Sequence, residues 1–152
     1  MKSELLEKTR HQLKVRLDRL AKAASDAHAA ATDPDSKAEG KYDTRSLEAS
    51  YLAAGQAKQA DEFAAAVRAF DAWTPPPFDI DSPIALGALV EVDIRGETGH
   101  FLLAPAGGGM VVDVNGLEIT LLTPASSLYQ NLLGRRTGDM LDDPELMILE
   151  VG

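Results

Sequence analysis

Cysteine is absent from this 152-residue chain, which excludes a disulfide framework, a thiolate metal site and a cysteine nucleophile. Long apolar runs are absent too. No stretch approaches the ~18 residues of a membrane span. The opening MKSELLEKTR has no unbroken apolar segment of the signal-peptide kind, so a cytoplasmic protein without membrane contact is expected. Lysine is missing after residue 74. Residues 75–152 hold 3 Lys+Arg against 12 Asp+Glu, whereas residues 1–74 hold 12 of each, so the whole net charge of −9 falls in the C-terminal half. Sequence-independent nucleic-acid binding neutralises phosphates, and a segment of that charge repels them; a basic surface on a large protein is the better partner. Histidines are few. His11, His28 and His100 stand apart, none with a second histidine at metal-ligand spacing, and each reads as a surface or satisfied histidine. Gly107-Gly108-Gly109 lacks the GxxxxGK[ST] and GxGxxG patterns of phosphate cradles and reads as a flexible hairpin turn. No self-contained enzyme is visible.

What is present divides into two regions, which predict an α+β chain. Residues 1–74 read as two helices interrupted by Asp33 to Tyr51, DPDSKAEGKYDTRSLEASY. Pro34 stops a helix because it lacks an N–H and restricts the residue before it, and Gly40 supplies the freedom a turn needs. Leu6, Leu13, Leu17, Leu20, Ala24, Ala27 and Ala31 form a heptad seam over residues 2–31. Ala49, Ala53, Gln56, Ala60, Phe63, Val67 and Phe70 form a second over residues 44–73. Facing residues of an antiparallel pair have position numbers with a constant sum. Leu6 with Phe70, Leu13 with Phe63 and Leu20 with Gln56 all sum to 76, which puts the reversal at Ala38. An antiparallel two-helix coiled-coil hairpin of roughly 40 Å follows. Its tip, near residues 33–48, carries Asp33, Asp35, Glu39, Asp43 and Glu48. Leu5, Leu47, Tyr51 and Leu52 lie beside the seam, the stripe that a coiled-coil adaptor would use for another helix.

Trp73-Thr74-Pro75-Pro76-Pro77-Phe78 ends the hairpin, because three prolines cannot continue a helix, and the domain boundary is expected there. Residues 78–152 read as a small β-rich domain. Val90, Val92 and Ile94 alternate with Glu91, Asp93 and Arg95 in a half-buried strand. A turn is expected over residues 96–99, with the next strand starting at His100. Met110 to Val114 and Leu117 to Leu122 flank Asn115-Gly116, a strong hairpin turn. Ser126 and Ser127 offer caps to a short helix over Leu128 to Leu133, closed by Gly134. Gly138-Asp139 turns again, and Leu146 to Val151 makes a last strand.

The order of parts, a helical arm with an acidic tip and then a small β domain, resembles the Gre family of bacterial transcript-cleavage factors. Asp43 with Glu48-Ala49-Ser50-Tyr51 is similar to that family's tip pattern G-D-L-x-E-N-A-E-Y. Thr123-Pro124-Ala125-Ser126-Ser127-Leu128, followed by Leu132-Leu133-Gly134-Arg135-Arg136-Thr137-Gly138-Asp139, is similar to its segment S-P-x-x-x-A-L-[LI]-G-[KR]-x-x-G-D. The second match is the more specific, and the likeness spans essentially the whole chain.

The resemblance implies an FKBP-like fold for the β domain. It also implies an elongation factor that binds RNA polymerase, an accessory protein with no cofactor of its own. The arm would enter the secondary channel as a monomer and meet the nascent RNA 3′ end there, and any association with DNA is implied by the family alone. Tip carboxylates, Asp43 and Glu48 first and Glu39 third, would share the polymerase's Mg²⁺ and stimulate cleavage of backtracked RNA. Ser126, Ser127, Leu128, Leu132, Leu133 and Gly134 would contribute to the polymerase contact.

Two readings of the tip are open. Registered on Tyr51, the family's acidic positions fall on Thr44 and Leu47, with Asp43 and Glu48 each one residue away. If one helix ran through residues 43–48, five residues would turn about 500° and point these two carboxylates apart. A non-cleaving secondary-channel regulator or inhibitor is therefore the alternative. From another class, an FKBP-like chaperone or prolyl isomerase would need an aromatic-lined pocket, and only Phe78, Phe101 and Tyr129 are present in residues 78–152.

Overall fold

The computed structural model describes residues 1–32 and 45–152. Two helices come first, α1 (Lys2–Thr32) and α2 (Arg45–Asp71), close to the bounds that the heptad seams predict. They form the antiparallel pair read from the sequence. Arg16, Arg19 and Leu20 of α1 share one groove with Gln59, Glu62 and Phe63 of α2. Leu13 is fully buried, while Leu17, Leu20, Ala24, Gln56, Ala60, Phe63 and Val67 are half-buried. Lys14, Arg16, Arg19 and Lys22 are exposed.

The chain divides into two compact units, one of residues 1–10 with 68–152 and one of residues 11–67. The first unit thus includes the opening turns of α1 and the close of α2. Leu5 is fully buried in it, so it is no spare stripe for another helix; Leu47, Tyr51 and Leu52 lie outside the described side chains. Thr9, also buried, donates its hydroxyl to the Leu5 carbonyl at 2.7 Å. Phe70 and Trp73 meet edge to face, with ring centroids 5.7 Å apart. The proline run packs down at once: a Cβ at Gly87 would come within 2.9 Å of Pro75 Cβ and 3.3 Å of Pro76 Cδ.

The rest of this unit is a six-stranded mixed sheet. Its elements in chain order are β1 (Leu89–Ile94), β2 (Glu97–Leu103), β3 (Val111–Val114), β4 (Leu117–Leu122), α3 (Ser127–Leu132), β5 (Met140–Asp142) and β6 (Glu145–Val151). The strand order is β3-β4-β2-β1-β6-β5, with β2 and β4 parallel and every other pair antiparallel.

Two of the two-residue hairpins, β1–β2 and β3–β4, use one device. Arg95 and Gly96 have φ of 54° and 86°, and Asn115 and Gly116 have φ of 55° and 86°, as a primed turn requires. In each, an aspartate before the turn accepts the glycine N–H: Asp93 Oδ1 from Gly96 at 2.7 Å and Asp113 Oδ1 from Gly116 at 2.9 Å. The first turn is therefore tighter than the sequence reading placed it. Glu97, Thr98 and Gly99 belong to β2, opposite Ile94, Asp93 and Val92. The loop at Gly107-Gly108-Gly109 also corrects an expectation. It joins β2 to β3, which are not neighbours in the sheet, so it is a crossover and not a hairpin turn.

One sheet face packs on α3, enclosing Val90, Val92, Leu103, Leu122, Ile148 and Val151 with Tyr129 and Leu132. On the opposite face, Leu102, Val112, Val114, Ile119 and Leu121 are buried. The start of α1 is tied to the β3–β4 hairpin: Lys8 Nζ donates to Asp113 O at 3.3 Å, and Asn115 Nδ2 donates to Glu4 Oε2 at 3.5 Å.

Candidate functional site

The carboxylates assigned to the tip fall largely beyond description. Asp33, Asp35, Glu39 and Asp43 lie outside the described residues. Glu48 lies in the first turn of α2, where negative charge is favoured by the helix dipole, and its side chain is also outside description. Among the described residues, no group of three or more His, Asp or Glu could hold a metal ion, and no helix is long and apolar enough to cross a membrane.

The segment Thr123 to Asp139 is fully described, and each residue of it has a place. Ser126 caps α3, its hydroxyl accepting from Tyr129 N, while Ser127 is exposed as the first helical residue. Leu132 is fully buried, and Leu128 is half-buried against the core. Leu133, 39% exposed, points to solvent. Gly134 takes φ of 77°, a conformation that disfavours a side chain, and its N–H donates to Ile84 O at 2.8 Å. Ile84 N returns a bond to Arg135 O at 2.8 Å, stitching α3 to residues 79–88. Asp139 closes the following turn, its Oδ2 accepting from Arg136 N at 2.8 Å. The same turn is anchored to β6 by Gly138 N to Ile148 O and Ile148 N to Asp139 O. Of the six residues assigned to partner contact, the structure presents Ser127, Leu133 and Gly134 outward and places Leu132 in the core.

Sequence reasoning did not identify the recess beside β1. It measures about 390 Å³ and is lined by Lys2, Leu89, Glu91, His100, Leu117 and Glu150, together with Met1 and Gly152. His100 Nε2 lies 3.8 Å from Glu91 Oε1, and both side chains are mostly covered. Lys2 sets its ammonium 4.7 Å from the Phe78 ring centroid, and burial lowers its pKa from the ordinary lysine value. His11 is exposed on α1. The three aromatics a prolyl isomerase would need are used in packing: Tyr129 is buried, and Phe78 and Phe101 lean on the core.

No family model matches the sequence, and no curated protein matches it. Among solved structures, the chain is similar to the GreA factor homolog 1 (Gfh1) protein of Thermus thermophilus, at 20% identity over 94% of each chain with a TM-score of 0.37. It is also similar to Thermus aquaticus Gfh1, at 20% identity over 98% of this chain and 92% of that one, with a TM-score of 0.35.

Proposed function

We propose that the chain is an accessory factor of RNA polymerase, which places its helix pair in the secondary channel and acts on the polymerase's own active centre. The observation that carries this reading is the segment Thr123 to Asp139. Its Gre-like residues occupy a cap, a helix, a glycine turn and an aspartate-closed turn within one β unit, in a chain that also carries an antiparallel helix pair. Exposed Ser127, Leu133 and Gly134 then make the contact with the polymerase, and buried Leu132 holds them in place.

In the leading form, the chain stimulates cleavage of backtracked RNA. Asp43 and Glu48, with Glu39 behind them, bring hard oxygen donors to the nascent RNA 3′ end. Such donors suit the polymerase's Mg²⁺, which supplies water activation and leaving-group stabilisation. A second form has its own observation: Thr44 and Leu47 stand where the family pattern has acids. In that form the chain binds the channel and slows nucleotide addition without cleavage.

Purified core polymerase, in binding and backtracked-complex assays, tests both. Micromolar or tighter binding with RNA shortening supports the first form, and binding with slowed extension alone supports the second. Absence of binding by folded protein removes the polymerase reading.

A further inference from the structure

Strands β1, β6 and β5 lie side by side at one end of the sheet order. Their inward residues, among them Val92, Ile148, Leu146 and Leu141, belong to the core under α3. Their other face is open along β5 and β6 and half-covered along β1. Met140 lies opposite Met147, Asp142 opposite Glu145, Met147 beside Asp93, and Glu150 beside Glu91. An irregularity in register at Glu91/Val92 leaves Leu149 and Glu150 both on the exposed side. Met140 is 66% exposed, Met147 41% and Leu149 37%. Three large apolar side chains thus run across an open face bordered by five carboxylates, and none of the three strands contains a lysine or arginine.

We infer that this face docks a basic, amphipathic segment of a partner protein. Contiguous exposed apolar side chains mark interaction surfaces, and methionine thioethers repack easily against varied partners. The bordering charge selects the occupant. A second copy of the chain, meeting through the same face, would set five carboxylates against five. Nucleic acid is repelled by the same charge. Lysine and arginine side chains instead lay their apolar stems on the methionines and carry their cations to the rim. The recess at Glu91 and Glu150 adjoins the face, and there the chain's own Lys2 already lines the wall beside the two carboxylates. Strand addition is the lesser route, since edge strand β5 has only three residues. The inference does not rest on the polymerase reading.

The test is an NMR titration of the ¹⁵N-labelled full chain with a synthetic amphipathic leucine–lysine peptide. A lysine peptide of equal charge without leucine is the control. Shifts centred on β1, β5 and β6 are expected, with the control at least about tenfold weaker, as the loss of two or three buried apolar contacts implies. Met140→Ser with Met147→Ser, and separately Glu145→Gln with Glu150→Gln, should each weaken the leucine–lysine peptide about tenfold. All four positions are exposed, and if the methionine pair unfolds the chain, the glutamate pair decides. Equal binding of the two peptides, shifts centred on α3 or on α1 and α2, or unchanged affinity in the folded variants overturns the proposal. Self-association of the wild-type chain that Met140→Ser abolishes would overturn it too, by assigning the face to a second copy.

Discussion

The guanidinium of Arg10 sits on the carbonyl of Phe70, with Nη2 at 3.1 Å and Nε at 3.3 Å, and Nη2 also reaches Trp73 O at 3.3 Å. The last carbonyls of α2 have no partners within their own helix, and a cation there also complements the helix dipole. Arg10 therefore ties the start of α1 to the close of α2. Phe70 O also accepts from Trp73 N at 3.3 Å, so replacing Arg10 with alanine leaves Phe70 O that one backbone donor and takes the guanidinium away from Trp73 O. Arg10→Ala is expected to lose about 1–2 kcal/mol of stability, read as a fall in the urea midpoint at unchanged slope. Trp73 fluorescence is the natural probe.

Gly87 is the close contact between the proline run and the sheet. Its φ of 99° suits glycine, and an added Cβ would press on Pro75 and on Trp73 Cζ2 at 3.3 Å. Gly87→Ala is expected to cost at least about 1–2 kcal/mol, more than Gly116→Ala, which has the same kind of φ but open space around it. Thermal unfolding of the pair separates backbone strain from the clash.

Gln56 is the one polar residue in the second seam, and its Oε1 is buried without a hydrogen-bond partner among the described residues. Such an atom loses water and gains nothing in return. Gln56→Leu should raise stability by about 1 kcal/mol, measured as a higher melting temperature. A fall instead would mean that the amide fixes the register of the helix pair, a role that single polar residues play in coiled coils.

The helix pair was the most legible part of the sequence, because its signal is summed over many turns. The seams predict both helices within a few residues, and the pairing follows from their constant sum. The β unit was legible where a local pair of residues dictates a turn, as at Asn115-Gly116. Locating the first turn at residues 96–99 instead of Arg95-Gly96 hid the Glu91–His100 contact, which the cross-strand register sets directly. Met140–Asp142 is too short to show alternation, so β5 and its apposed methionines went unread. The parallel pairing of β2 with β4 comes from a crossover that no neighbouring residues encode. Leucine identity alone did not tell core Leu132 from exposed Leu133.

That distinction separates folding from docking. Leu132→Ala removes a fully buried side chain and should cost about 2–5 kcal/mol, with any loss of polymerase binding explained by unfolding. Leu133→Asp changes an exposed side chain and should leave the melting temperature within about 2 °C. On the proposed function, it weakens polymerase binding all the same. Equal affinity of folded Leu133→Asp and wild type for core polymerase places the contact elsewhere on the unit.

On the proposed function, the tip carboxylates carry the chemistry. If cleavage is stimulated, the charge developing on RNA and water in the transition state is held partly by carboxylates of this chain. Removing one then lowers the cleavage rate more than the binding, because the lost interaction is strongest in the transition state. Asp43→Asn and Glu48→Gln each keep the shape and remove the charge. Each is expected to slow stimulated cleavage by about tenfold or more, on the order of 1.4 kcal/mol in the barrier. Glu39→Gln should have a smaller effect. On the proposed function, which assigns polymerase binding to the β unit and the flanks of the helix pair, affinity for core polymerase should stay nearly constant. A double variant that cleaves at the wild-type rate transfers the role to Asp33 and Asp35. A wild-type chain that binds and slows extension without any RNA shortening assigns the tip to obstruction of the channel, and these substitutions then alter inhibition alone.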